Sequence, residues 1–413
     1  MSQEQAVHEQ AVATEPLRTN GENGGFASVQ RGEALSSSLI QSPSELDGLR
    51  ASWDALAVAV RSPFGCPAWA EAWWRHLAPD RARLAVVAVH AGDELVGLAP
   101  LYATRRFGVT ELRLLSGGLA SRLGILAAPG QEPEVAAAIA GALADLDPRP
   151  DIFRWEAVDA ASPWPGLQSA DHPFGSSATR LQKESTRSAP VLHLSQASYE
   201  EWLAGKGGKF RRELRRRQRK IEAEDAVIRS ADRSSLRRDL EAFERLHLAR
   251  WDGRGGSAIP AEAIDMLEDV GNALIDAGRF RLWMIDGPDG EAISAQVYVA
   301  AGGEVAFWNL GFDERWGKYA PGTLTTLAAI EDAFGRDDEL LDFGGGEGSY
   351  KERLTDEDRP VMWCTSYRRG PRYPLARLRR LPGQVARRGS HTVRERLGPD
   401  RFNRLRGLLV LSR

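Results

Sequence analysis

Cysteine is nearly missing from this sequence: two among 413 residues, Cys66 and Cys364, far apart and without a Cys-x-x-Cys spacing. That excludes a disulfide scaffold and suits a reducing compartment. Long apolar runs are missing too, and nothing approaches the roughly twenty residues that a membrane span needs. The opening Met1-Ser-Gln-Glu-Gln lacks the basic-then-apolar layout of a secretory leader, so a cytoplasmic protein is expected. The seven histidines are scattered, and no cluster with Cys, Asp or Glu has metal-ligand spacing, so no metal is expected. There is no Gly-x-Ser-x-Gly elbow. The glycine-rich stretch Gly344 to Lys351 is neither a Walker A loop nor a dinucleotide fingerprint.

What is present is a chain long enough for two cores, with 42% apolar residues and twelve tryptophans. The net charge is −3, but residues 206–220 carry nine Lys/Arg against one Glu, and residues 371–413 carry twelve Arg against two acids. Such segregation points to anionic partners at two places. Residues 1–37 are polar and read as a disordered tail. Residues 38–188 read as a first α/β half, with helices over 44–60 and 69–77, a hairpin 83–102, a helix 135–146 and a strand 151–156. A Pro/Ser-containing connection over 160–188 leads to a second half, 189–370, and a basic tail, 371–413. Helices, hairpin, helix and strand occur once in each half, a weak internal repeat.

The second half centres on residues 291–351. The runs 292–300 and 305–310 flank Gly302-Gly303 as a hairpin. Lys318-Tyr-Ala-Pro-Gly-Thr323 then opens a helix that lasts to about Phe334. Pro321 suits its first position, and Gly322 and Thr323 would offer free amides to a pyrophosphate or carboxylate, with Lys318 adding charge. The strand 340–343 ends in the glycine-rich turn, and 361–367 is expected to close the sheet. Upstream, the helix over 208–224 has one narrow apolar seam, Phe210, Leu214 and Ile221. Lys209, Arg211, Arg212 and Arg215 are among the bases outside it, and Arg forks match phosphates. His247 and Trp251 share one helix face as i, i+4 neighbours.

The segments Lys209-Phe-Arg-Arg-Glu-Leu-Arg-Arg-Arg217, His247-Leu-Ala-Arg-Trp251, Tyr319-Ala-Pro-Gly-Thr323 and Gly348-Ser-Tyr-Lys351 occur here in a telling order, after a Pro63-Phe…Trp69…Trp73-Trp74 cluster. In that order the chain resembles the acyl-CoA-binding half of the GNAT acyltransferase superfamily. More narrowly it is similar to the CelD-like branch (cellulose-biosynthesis type, related to the FemABX peptidyltransferases), over roughly residues 45 to 370. The resemblance implies two tandem GNAT-like α/β domains, each a mixed, mostly antiparallel sheet flanked by helices. It also implies transfer of an acyl group, acetyl in the first instance, from acyl-CoA to an amine or hydroxyl of a sugar- or peptide-like acceptor. Amine acylation needs a base for the ammonium proton and an acid for the leaving thiolate; Glu347 and Tyr350 are the candidates, with Lys351 beside them. Pro321, Gly322, Thr323 and Lys318 are expected to hold the donor. Lys209, Arg211, Arg212, Arg215, His247, Trp251, Gln296 and Asn309 are expected to hold the acceptor. Two alternatives stand: a FemABX-type aminoacyl transferase using charged tRNA, and an inactive double-GNAT protein that binds an anionic polymer or membrane surface through residues 206–220 and 371–413. In the tail, Leu375, Leu378 and Leu381 alternate with arginines, the pattern of a segment lying on an anionic membrane, or of one whose Leu face packs on the protein's own acidic remainder.

Overall fold

The computed structural model describes residues 34–166, 179–252, 256–345 and 351–380. Nearly all of the expected N-terminal tail, the candidates Glu347 and Tyr350, and the tail beyond residue 380 lie outside the described residues. Strand β1 (Leu35–Ile40) is followed by helices α1 (Arg50–Ala59) and α2 (Pro67–Leu77). Next come β2 (Arg83–Leu84), β3 (Val86–Ala91), β4 (Glu94–Ala99), β5 (Leu101–Arg106), β6 (Val109–Leu114), β7 (Leu126–Ala127), α3 (Glu132–Ala144) and β8 (Ile152–Asp159). After β9 (Thr179–Arg187) and β10 (Pro190–His193), the second half opens with α4 (Tyr199–Gly205) and α5 (Gly208–Glu222). It continues through β11 (Val227–Ser230), α6 (Leu236–Trp251), α7 (Ala263–Leu274), β12 (Phe280–Asp286), β13 (Ala292–Ala301) and β14 (Glu304–Phe312). A 3-10 turn, Glu314–Tyr319, leads to α8 (Pro321–Gly335), β15 (Leu340–Asp342), α9 (Lys351–Leu354), β16 (Glu357–Asp358) and β17 (Val361–Arg368), and a last helix, α10, covers 373–380.

Three sheets result, in the orders β1-β3-β4-β7, β2-β5-β6-β8-β17-β9 and β11-β12-β13-β14-β15-β10-β16. All pairings are antiparallel except β6 with β8 and β14 with β15. Each of those parallel pairs is joined across a helix, α3 or α8, so one plan is used twice. The stretch Leu95 to Tyr102 reads as one strand, but Pro100 has no N–H to give a ladder and divides it. β4 then stays in the first sheet while β5 enters the second.

The halves exchange strands. The chain crosses from the first half to the second between Arg187 and Pro190, and crosses back between Asp358 and Val361. The two crossings are tied together: Arg359 N–H donates to Ala189 O at 3.1 Å, and Ala189 N–H to Asp358 Oδ1 at 2.8 Å. Two readings of the sequence are corrected here. The second part of the 160–188 connection is the nine-residue strand β9. The run 361–367 does form a strand, but it pairs with β8 and β9 of the first half instead of closing the second half's sheet.

Burial follows the apolar pattern. Every residue of β13 is buried, and α6 lies across β13 and β14. That seat needs Gly311, where a Cβ would come within 2.5 Å of the His247 backbone nitrogen. The two thiols are buried and free; burial pushes Cys66 up to about 11 and Cys364 up to about 12, so both stay protonated and inert.

α10 docks on the first half by its arginines. Arg379 pairs with Glu111, Arg380 with Glu184, and Ala376 is buried with Val109, Ile152 and Tyr367. It is therefore not the Leu face that packs on the acidic groups, and Leu375 and Leu378 remain exposed. Among the described residues no helix is long and apolar enough to cross a membrane.

Gly311→Ala tests the α6 seat. The added methyl meets backbone that cannot swing aside, so a loss of about 1–3 kcal/mol is expected in urea denaturation. An unchanged midpoint would mean that α6 is not packed on β14 at this distance.

Candidate active site

The site is an opening between β14 and β15. Their parallel pairing covers only Glu304–Ala306 against Leu340–Asp342, and beyond it β14 continues without that partner. Just past the pairing, β14 carries a bulge: Tyr298 faces Phe307 and Val297 faces Asn309, leaving Trp308 as the extra residue. Trp308 turns to the first half, where its Nε1 donates to Leu119 O at 3.1 Å and its ring meets Trp69 at 6.0 Å.

The N-terminus of α8 stands beside the far end of β14, held by a row of buried polar groups. Gln296 Nε2 donates to Gly322 O at 2.6 Å, while Gln296 Oε1 accepts from Tyr298 at 2.6 Å and from Thr326 at 3.1 Å. Thr325 and Ser294 hydroxyls join at 2.9 Å. Ala320 takes a left-handed φ of 54° to turn the chain into the helix. Of the first-turn amides, Thr323 N–H and Leu324 N–H both go to Ala320 O, and Pro321 has none. Gly322 N–H is left without an acceptor among the described residues. A Cβ at Gly322 would make ordinary contacts, with Gln296 Nε2 at 3.7 Å and the Phe312 ring at 3.8 Å, so a side chain begins there without a clash.

The opening is floored by Lys351, whose Nζ donates to Phe343 O at 2.8 Å and lies 5.6 Å from the Phe307 ring centroid, on the opposite strand. Lys351 is 7% exposed, and burial brings its amine down to about 8, against the opposing pull of the Asp342 carboxylate. Asp342 itself accepts from Gly344 N–H at 2.7 Å and from Arg122 Nε at 2.8 Å. Arg122 comes from the first half, as does Ser121, whose hydroxyl reaches Phe307 O at 3.4 Å. The opening therefore has one wall from each half.

Residues 208–352 match the family model of an acetyltransferase (GNAT) domain. This segment is a GNAT-fold domain. Among solved structures the whole chain resembles FemX with a TM-score of 0.58 and 12% identity, over 80% of this chain and 98% of FemX. A C-terminal domain of a putative lysylphosphatidylglycerol synthetase from Agrobacterium fabrum gives 0.48 at 11% identity, over 79% and 93% of the two chains. A tandem GNAT protein from the clavulanic acid biosynthesis pathway gives 0.43 at 14%, over 82% and 99%. At such identities the likeness is one of fold. No curated protein matches the sequence. The fold is that of two tandem GNAT-like α/β halves, each with a mixed sheet flanked by helices.

Within the GNAT domain the sequence-derived candidates fall into three groups. Pro321, Gly322 and Thr323 stand by the far end of β14, and Lys351 by Phe307, where the pairing with β15 has ended; Asn309 is half-buried on β14 past the bulge, its Oδ1 held by Leu310 N–H at 2.9 Å. Lys318 is exposed over the Tyr319 ring, and Lys209, Arg212 and Arg215 are exposed on α5, which packs against the 3-10 turn and α8. Arg211, on the same helix, keeps a buried Nε with no partner. Gln296 and His247 do something other than offer free groups to an acceptor. Gln296 is fully buried and bonded at both ends of its amide. His247 is buried with Nδ1 at 3.1 Å from Leu310 O and Nε2 at 3.0 Å from Ser257 Oγ, and burial lowers its pKa. Both fix elements in place; the Trp251 ring lies 6.2 Å from that of His247, tilted by 48°. Among the described residues no group of His, Cys, Asp and Glu could hold a metal. The residues missed by sequence reasoning are Ser121, Arg122, Trp308 and Asp342. No local pattern marks them, because their partners lie in the other half.

The sign of the Lys351 shift gives a test. A buried ammonium costs stability below about pH 8, and the cost fades as pH rises toward the ordinary lysine value, because only the unfolded chain still binds the proton there. Wild type should therefore gain on Lys351→Met by on the order of 3 kcal/mol between neutral pH and about pH 10.5. Urea denaturation of both proteins across that range measures it; a constant difference would mean that the amine titrates normally.

Proposed function

We propose that the protein transfers an acyl group, acetyl in the first instance, from acyl-CoA to an amine or hydroxyl of a sugar- or peptide-like acceptor, as the CelD-like resemblance implies. The observation that carries this reading is the opening itself, where two strands part beside a helix N-terminus and above a buried amine. The residues present suit a thioester donor that bears a diphosphate. Gly322 N–H lacks an acceptor among the described residues, and Arg211 on the adjoining helix has a buried, unpartnered Nε. Bound there, the donor would supply an activated carbonyl and a thiolate leaving group.

This chain's own residues then orient and move protons. The edge of β14 that β15 leaves uncovered aligns the donor at positions other than Leu310, whose N–H and carbonyl are taken by Asn309 and His247, and the Arg-rich face of α5 draws its phosphates. In direct attack the acceptor nitrogen or oxygen bonds to the acyl carbon as the carbon–sulfur bond breaks. Glu347 takes the acceptor's proton and Tyr350 gives one to the departing sulfur. Lys351, with a pKa near the working pH, stabilises negative charge that develops at the base of the opening.

A second reading is favoured by one observation. The exposed bases of α5 lie along the approach to α8, which would suit the acceptor stem of a charged tRNA in an aminoacyl transferase with a FemX-like fold.

Gly322→Asp separates the two. The added Cβ makes only ordinary contacts with Gln296, Phe312 and Leu310, so the protein is expected to fold, while the charge stands beside the diphosphate and CoA affinity should fall at least about tenfold, on the order of 1.4 kcal/mol. Calorimetry on the two proteins reads it. Unchanged CoA binding would move the donor site elsewhere, and binding of charged tRNA with none of CoA would favour the second reading.

A further inference from the structure

Among the described residues six large hydrophobic side chains stand exposed, and three of them border one end of the first half. Phe107 is 75% exposed, Leu378 62% and Leu375 44%. Phe107 sits at the tip of the β5–β6 hairpin with φ 52°, followed by Gly108 at φ 74°. Such a turn favours Asn or Gly, so a bulky apolar residue there is costly in backbone conformation as well as in exposure. The leucines lie three apart on the outer face of α10. Arg379 joins the two elements: its Nη1 donates to Val109 O at 2.9 Å and to Arg106 O at 3.4 Å, across the hairpin tip.

The charge around these side chains has one sign. Residues 368–380 contain six arginines and no acid, and the hairpin tip adds Arg105 and Arg106. Arg180 reaches the same helix through the Tyr373 hydroxyl at 3.2 Å. The acids beneath, Glu111, Asp151 and Glu184, face Arg379, Arg372 and Arg380 and offset those three, while Arg105, Arg106, Arg368 and Arg377 stand outside these pairs. From residue 381 to 413 the chain adds eight more arginines against two acids.

We propose that this end of the molecule, the β5–β6 tip together with α10, is a docking surface for an anionic lipid bilayer. Phe107, Leu375 and Leu378 enter the boundary between headgroups and acyl chains, while the arginines around them meet the lipid phosphates. Nucleic acid fits less well, because a phosphodiester backbone rewards the arginines and offers nothing to two leucines. The proposal is independent of which donor the opening takes.

Co-sedimentation of the full-length protein tests it. Wild type should pellet at low salt with vesicles rich in phosphatidylglycerol and stay in solution with pure phosphatidylcholine. The triple variant Phe107→Ser, Leu375→Ser, Leu378→Ser keeps every arginine, and its bound fraction should fall at least about tenfold. Circular dichroism and a thermal melt check that it folds; Leu378→Ser alone, at the most exposed of the two helix positions, gives a smaller loss in the same direction. Wild type that stays in the supernatant overturns the proposal. So does a triple variant that pellets like wild type, since the bases alone would then account for binding. A wild-type dimer that the triple variant turns into a monomer, without vesicle binding, would assign the face to a second copy of the chain.

Discussion

The opening between β14 and β15 depends on one arginine that belongs to the other half. Arg122 donates through Nε to Asp342 at 2.8 Å, through Nη1 to Asp159 at 2.6 Å and through Nη2 to Arg359 O at 2.8 Å. Asp342 ends β15, Asp159 ends β8, and Arg359 lies where the chain crosses back between halves. A single guanidinium thus joins both parallel strands and the crossing. Removing it would leave a buried carboxylate uncompensated, a loss of about 3–5 kcal/mol by general experience with such pairs. Arg359 continues the network to Glu304, whose carboxyl is pushed up by burial at the start of β14.

Asp342, the carboxylate that faces Lys351, is thus held from the first half. At Lys351 desolvation outweighs the pull of that carboxylate, and the amine falls to about 8. The same division of labour holds for Trp308. The bulge that ends regular pairing in β13–β14 is seated by a tryptophan donating to Leu119 O and packed on Trp69, both first-half residues.

What the sequence could show was local. The hairpin β13–β14, the Pro321 helix start and the amphipathic basic helix α5 are written in alternation, turn glycines and 3.6-residue spacing, and each is where those signals put it. Periodicity announces that 361–367 is a strand but carries no information on its neighbours, so its place beside β8 could not be read. Pro100 was visible, yet which side of it would change sheets was not. Site residues followed the same rule. Pro321, Gly322 and Lys351 are contiguous with recognisable turns, whereas Ser121 and Arg122 acquire meaning only through contacts some 190 to 220 positions away. Gln296 and His247 show the converse: a polar residue on a promising strand or helix can be wholly occupied in holding that element.

The repeated plan also explains why, among the described residues, the second half is open beside its parallel pair and the first is not. In the first half β6 and β8 pair in parallel over Glu111–Arg113, as β14 and β15 do, but the strands do not part. Leu123 makes a further parallel bridge to Val158, so β8 remains covered beyond the pairing. The space next to the pairing is filled by charge: Arg113 and Arg154 both hold Glu156, at 2.6 and 2.5 Å, and Arg154 also faces Glu111 at 3.5 Å. Gly117 closes over this cluster so tightly that a Cβ would come within 2.6 Å of Glu156 Oε2. A ligand entering there would have to separate buried ion pairs, which costs several kcal/mol before any contact is made. The second half meets no such barrier among the described residues, because its equivalent carboxylate, Asp342, is held from outside by Arg122 and leaves the gap to a lysine and the Phe307 ring. One plan, used twice, thus yields a closed half that supplies wall and charge and a second half whose strand β14 runs on without its parallel partner.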